Sequence, residues 1–325
     1  MRIGLLRNLL YWPLLPFWRR LFTTLGAEVV VSPEMTADLF DKSRRLFVGD
    51  ICLPIESAFY HVDMIKHDVD VLFIPRANRI HEDLYVCPTC AGLPYMIEHL
   101  VAGLPTETLF INLSPFRFLD RSDMRRMKAL GFSKAAVTRA YAEAVGEYDA
   151  FVARATAQPD LNLAMEPDGT APGAPRDGRH ILLLGMPYVL GDRFINHGVP
   201  DILRAAGCRL TTPYMLSADT ADKEVVVNGY RIYWSFAGMT VSALVRALDG
   251  LDVDGVLYCS PFACGPDSLI VPIVQAVCKR HGRVPFCLLT LDEHAEATHI
   301  QVRIEAFLDC LDSRRRTDAG GVVNA

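Results

Sequence analysis

What this sequence is short of narrows its chemistry before any motif is considered. Positive charge is not in surplus: the net charge is −5 and the isoelectric point about 6.0, so nothing favours a nucleic-acid partner, whose phosphates require a basic face. Long unbroken apolar runs are missing too. The stretch from Leu5 to Phe22 carries Arg7, Arg19 and Arg20 and is interrupted by Pro13 and Pro16, so it is too broken to span a bilayer, and the N-terminus has no proper signal peptide. The nine cysteines have no regular spacing and are odd in number, which argues against a secreted disulfide framework and for a reducing cytoplasm. There is no Gly-x-Gly-x-x-Gly, no Gly-Lys-Ser/Thr loop and no internal repeat.

What is present is material for real cores. With 325 residues, 51% of them hydrophobic, and a mean hydropathy of +0.19, the chain can build two domains of ordinary size. Short apolar runs alternate with helical periodicities, the pattern of parallel sheets covered by helices. Strands are expected at Arg2 to Arg7, Glu28 to Ser32, Val71 to Pro75 and Thr108 to Asn112, with a Pro-rich loop after the first and a helix from about Phe17 to Leu25. Residues Asp123 to Gln158 read as one long helix or a broken pair. The Pro- and Gly-rich segment 159–178 reads as a linker, dividing an N-terminal domain (1–158) from a C-terminal one (179–325). In the second half, strands are expected at His180 to Gly185, Arg209 to Thr212, Gly255 to Ser260 and Phe286 to Thr290. A last helix should run from about Glu293 to Leu311, followed by a frayed tail from Arg314.

Three thiols stand in Pro-punctuated turns beyond expected strands: Cys52 in Cys52-Leu53-Pro54, Cys87 in Cys87-Pro88, and Cys264 in Cys264-Gly265-Pro266-Asp267-Ser268. A neighbouring proline stiffens the chain where a thiolate would have to be held. In open α/β sheets ligands collect beyond the carboxyl ends of the strands, so the three would meet in a cleft between the two units. Thiols converging from distant segments suit an iron–sulfur cluster better than a nucleophile. Cys87 and Cys90 form a C-x-x-C, which by itself also reads as a redox pair or half of a zinc site; Cys259 is a further candidate metal ligand. Cys208, Cys278, Cys287 and Cys310 read as core.

His61, His67 and His81 fall near the Cys52 and Cys87 loops, and a neutral imidazole there could bind a metal or move a proton, although a surface or satisfied histidine is the plainer account. Asp292-Glu293-His294 follows a strand; it could be a proton relay or a nucleotide contact, with capping of the last helix by Asp292 the more economical account. His61, Glu293 and His294 are the candidate catalytic groups.

Taken together, Cys52-Leu53-Pro54-Ile55 with His61, Asp70 to Arg76, Cys87-Pro88, Pro187-Tyr188 with Asp192, Cys264 to Ser268, Leu291 to His294 and Arg303 to Phe307 resemble the acyl-CoA dehydratase activase-related proteins, relatives of 2-hydroxyacyl-CoA dehydratases and double-cubane cluster proteins. The resemblance implies two Rossmann-like α/β domains with a cleft between them. It implies a [4Fe-4S] cluster, or a double-cubane or larger one, on Cys52, Cys87 and Cys264. It further implies low-potential electrons from an ATP-dependent activator on a separate chain, and reduction or dehydration of a small molecule or acyl-CoA at an open iron. The alternatives are a non-catalytic electron carrier or assembly component, and a zinc or metal-free protein with structural thiols. A homodimer or heterodimer is the expected assembly. Where the family tends to have Lys and then Gly after this first motif, the chain has Glu56 and Tyr60.

Overall fold

The computed structural model describes residues 1–43, 51–81, 84–105, 107–113, 119, 121–166, 168, 178–216, 226–227, 230–293 and 297–320. The first half runs β1 (Arg2–Leu5), α1 (Tyr11–Thr24), β2 (Glu28–Val31), α2 (Ala37–Ser43), α3 (Leu53–Ile65), β3 (Val71–Ala77), β4 (Arg79–His81), β5 (Leu84–Tyr85), α4 (Pro88–Leu100), β6 (Glu107–Leu113), α5 (Arg121–Ala129), α6 (Lys134–Ala157) and α7 (Leu161–Met165). The second runs β7 (His180–Leu184), α8 (Pro187–Gly191), α9 (Val199–Ala205), β8 (Arg209–Thr211), β9 (Val226–Val227), β10 (Tyr230–Arg231), α10 (Ser235–Gly250), β11 (Gly255–Pro261), α11 (Gly265–His281), β12 (Phe286–Leu291) and α12 (Ala297–Gly320).

Two four-stranded sheets, ordered β2-β1-β3-β6 and β12-β11-β7-β8, are parallel throughout and flanked by helices, so the chain is α/β as its apolar rhythm predicts. Their central strands are apolar without a break because both faces are covered: every residue of β7 and of β11 is buried. Each expected strand is found with its ends within two residues of their expected places, the largest differences being at β1, which ends at Leu5, and β3, which runs on to Ala77.

Two expectations are corrected. The Pro-rich loop before Phe17 is helix: α1 starts at Tyr11 and contains both prolines. Pro13 lies in the first turn, where an N–H has no helical acceptor to lose, and Pro16 forfeits one bond. Burial outweighs that loss, since ten of the fourteen residues are buried, with Trp18 and Phe22 against Phe73 at ring distances of 4.7 and 5.1 Å. The frayed tail is also helix: α12 continues through Arg314 to Gly320, and Arg315 pairs with Asp254 at 2.6 Å. The helix α12 is described from Ala297, and residues 294–296, on which capping by Asp292 turns, lie outside the described residues. Of the two readings for residues 123–158 the broken pair holds, with Gly131 in the left-handed region (φ +90°) between α5 and α6. The segment 159–178 is not wholly irregular, because Asp160 caps α7 by accepting from the N–H groups of Asn162 and Leu163.

Candidate functional site

Cys52, Cys87 and Cys264 share one local design: each is the N-cap residue of a helix (α3, α4 and α11), each has a proline in the first turn after it, and none uses its side chain to cap. Sequence reasoning read these Cys and Pro pairs as stiffened turns; the sharper signal was that proline just inside a helix start marks its N-terminus. All three thiols line one crevice of about 160 Å³ together with Cys90, from the first turn of α4. The rest of the lining is mostly apolar, including Leu9, Ile51 and Ile55 from the first half and Tyr188 from the second. Three helix N-termini, with their partial positive charge, therefore meet at four sulfurs.

Each arm is held by identifiable bonds. Buried Asn8 donates from Nδ2 to the Pro54 carbonyl and to Ser57 Oγ, both at 2.7 Å, and so ties the start of α3 to the end of β1. The Cys87 loop is anchored by the second half of the chain: Tyr85 N–H donates to the Tyr233 carbonyl (2.7 Å), and Ser235 Oγ donates to the Leu84 carbonyl (3.0 Å). The Cys264 carbonyl accepts from Ser268 N–H (3.0 Å) and Ser268 Oγ (2.8 Å). Two non-glycine residues of the lining, Leu9 (φ 44°) and Ala263 (φ 60°), hold left-handed backbone. Such conformers cost about 1–3 kcal/mol each and persist where the surroundings impose them, often at functional sites. Here one of them sets the direction of Cys264.

Burial dominates the electrostatics. It pushes the Cys52 thiol up to about 11, Cys90 up to about 12 and Cys264 higher still, and neighbouring thiols add to each shift. At neutral pH these three are therefore protonated. Asp267, fully buried behind Cys264, is raised to about 6 by burial, against hydrogen bonds from Tyr258, Ser260 and Cys264 that lower it. Tyr258 O–H donates to Asp267 Oδ1 at 2.7 Å. Tyr258→Phe should lose roughly 1–3 kcal/mol of stability at pH 8, where Asp267 is ionised in the native protein, and clearly less at pH 5. Urea melts at the two pH values measure this, and equal losses would show that the bond does not support the carboxylate.

The other candidates lie elsewhere. Cys259 is fully buried within β11 and is not part of the crevice lining, as its place inside a strand could have indicated. Cys208 and Cys278 are buried and Cys287 half-buried, but Cys310 is exposed rather than core. His61 is fully buried in α3, outside the crevice lining; Ser32 Oγ accepts from Arg7 N–H (2.8 Å) and faces His61 Nδ1 at 3.0 Å. Burial, reinforced by Arg7, lowers His61 to about 3, so it is a neutral core histidine. Glu293 is in the turn after β12, while His294 and the side chain of His81 lie outside the described residues, as does the apolar run Arg45 to Val48. Leu9 escaped sequence reasoning because no local pattern marks a lining residue, and Tyr188, quoted only for the resemblance, was not read as one.

Fold and site together define an α/β protein with helix-covered parallel sheets and a crevice of four thiols at three helix N-termini. The family described as CoA enzyme activase uncharacterised domain (DUF2229) matches residues 2–216, more than half of the chain, and the chain belongs to that family. No curated protein matches it. Membership overturns the expectation of an iron–sulfur, dehydratase-like component that receives electrons from an activator, because the family is that of the activase. The partner to expect is accordingly a CoA enzyme that is activated, rather than an activator. The metal-binding expectation is corrected as well. Sulfur is the right donor for an iron–sulfur group, yet among the described residues no group of three or more His, Cys, Asp or Glu side chains could hold a metal ion. No described helix is long and apolar enough to cross a membrane.

Proposed function

We propose that this chain acts on the activating side of a CoA-thioester enzyme, docking on a dehydratase and housing the activating event in its thiol crevice. The observation that carries the reading is the activase family match over residues 2–216; the crevice supplies the place. We read the two sheet units as Rossmann-like domains, 1–158 and 179–325, joined across 159–178, with the crevice between them. In the systems that the chain resembles, activation is delivery of a low-potential electron, so on this reading the chain gives rather than receives.

Its own residues do three things toward that end. Asn8, Ser268 and the bonds to residues 233–235 fix the three helix starts. Leu9, Ile55 and Tyr188 give the sulfurs a mostly apolar surrounding, which strengthens electrostatic interactions there. Asp267 and Tyr258 keep a proton-holding pair directly behind Cys264.

The test is reconstitution with a purified CoA-thioester dehydratase, ATP and a low-potential reductant. Turnover should require this chain, and Cys52→Ser and Cys264→Ser should each abolish the requirement-linked rate while binding to the dehydratase persists. Equal turnover with and without the chain, or dehydration by the chain alone, would sink the proposal.

A further inference from the structure

Beyond any activating role, and independent of it, we propose that Cys87 and Cys90 are a dithiol that exchanges with the disulfide of a nucleotide-bearing thiol, aromatic and anionic at its far end. The two thiols are the N-cap and the third residue of α4. Positions three apart on a helix bring Cβ atoms within about 5–6 Å, and a disulfide needs Cα atoms about 4.4–6.8 Å apart. Cys52 and Cys264 stand on other helices and lack that relation. Cys87 stands at the start of α4 and does not spend its side chain on capping, which makes it the attacking sulfur. Both thiols are half-buried, whereas Cys264 is buried.

The second observation is what adjoins them. Pro88 and Ala91, from the same first turn of α4, line the wall of an open cleft of about 500 Å³ that also includes Tyr85, Tyr233 and Trp234. Tyr85 and Tyr233 are exposed, and guanidinium groups lie over their rings, Arg79 at 5.1 Å and Arg231 at 5.2 Å. Aromatic faces stack a base and guanidinium groups draw phosphates, so the cleft suits the nucleotide end while the crevice takes the sulfurs.

In the first step Cys87 sulfur attacks the disulfide R–S–S–R, forming Cys87–S–S–R and releasing R–S⁻, which leaves with the proton that Cys87 gave up. In the second, Cys90 gives up its proton to the departing sulfur as its own sulfur attacks the Cys87 sulfur, closing Cys87–S–S–Cys90 and releasing the second R–SH. The protein dithiol loses two electrons and two protons, and the small disulfide gains them.

The test uses the full chain carrying Cys310→Ser, which removes the exposed thiol, and coenzyme A disulfide as the probe. Two equivalents of coenzyme A should be released per chain, and mass spectrometry should show one peptide, two mass units lighter, joining Cys87 to Cys90. Adding Cys90→Ser should release one equivalent and leave coenzyme A on Cys87; adding Cys87→Ser instead should release none. Glutathione disulfide, lacking the nucleotide, should react at least tenfold more slowly. The proposal is overturned by equal rates for the two disulfides, by a bond from Cys87 to Cys52, or by chain purified without oxygen whose Cys87 is blocked by bound iron and sulfide. It is equally overturned if Cys87 and Cys90 remain alkylatable after treatment while circular dichroism shows a folded chain.

Discussion

Trp12→Ala is expected to cost about 4 kcal/mol, at the high end for a single substitution, because a fully buried indole removed from α1 leaves a cavity that its neighbours cannot close. The ring does more than fill space. Trp12 Nε1 donates to Asn162 Oδ1 (3.1 Å) in α7, and Asn162 Nδ2 donates to the Gly191 carbonyl (2.8 Å) at the end of α8. A Cβ on Gly191 would stand 2.1 Å from Trp12 Cδ1, so the indole lies flush on that backbone. Gly191→Ala should therefore cost about 3 kcal/mol by overpacking, and it should displace α8, whose Tyr188 lines the crevice. The two losses should not add: in Trp12→Ala with Gly191→Ala the new methyl enters the space that the indole left, so the double variant should be close to Trp12→Ala alone. Urea melts of the four proteins measure the coupling, and simple additivity would show that the contact is not real.

Asp192→Asn should stabilise the protein in a strongly pH-dependent way. Asp192 is buried; its Oδ1 accepts from the N–H groups of Phe194 (2.9 Å) and Ile195 (3.3 Å), yet burial raises it to about 7. A carboxyl that ionises near 3.8 in the unfolded chain and near 7 in the folded one holds its proton more tightly when folded. Stability is then lost as pH rises from about 4 to about 7 and is flat above. Asparagine keeps the acceptor and cannot ionise, so its advantage over wild type should be constant below about pH 4 and grow by up to roughly 4 kcal/mol by pH 8. Asp267, raised to about 6, contributes with the same sign over a narrower window. His61 opposes both: lowered to about 3, it supports the fold above its unfolded value of 6.5, and that support is lost as pH falls toward 3. Two falling contributions against one rising one give a net decline for wild type between about pH 4 and 6. Thermal melts across pH 4 to 8 check this, and a pH-independent advantage for Asp192→Asn would mean that the carboxylate is not desolvated.

Legibility followed range of interaction. The strands were readable because a strand covered on both faces must be apolar at every position, as β7 and β11 are. The start of α1 was not, because Pro13 and Pro16 argue locally for a loop, and only the aromatic packing against Phe73 outweighs them. The three crevice thiols were legible through their prolines. Cys90, the second thiol of the C-x-x-C, lines the same wall, whereas Cys259, the further candidate ligand, is core. The role was misread: a thiol pattern says where soft chemistry can occur, not which member of an activating pair carries it.

The order of apolar runs and Cys-Pro steps by itself determined an α/β chain with thiols at helix starts, since both are local consequences of periodicity and proline geometry. Tertiary structure alone decided that Cys90 joins Cys52, Cys87 and Cys264 while His61 and Cys259 turn into the core, and that an aromatic cleft adjoins α4. Those outcomes depend on contacts between residues far apart in the chain, which no local pattern of side chains encodes.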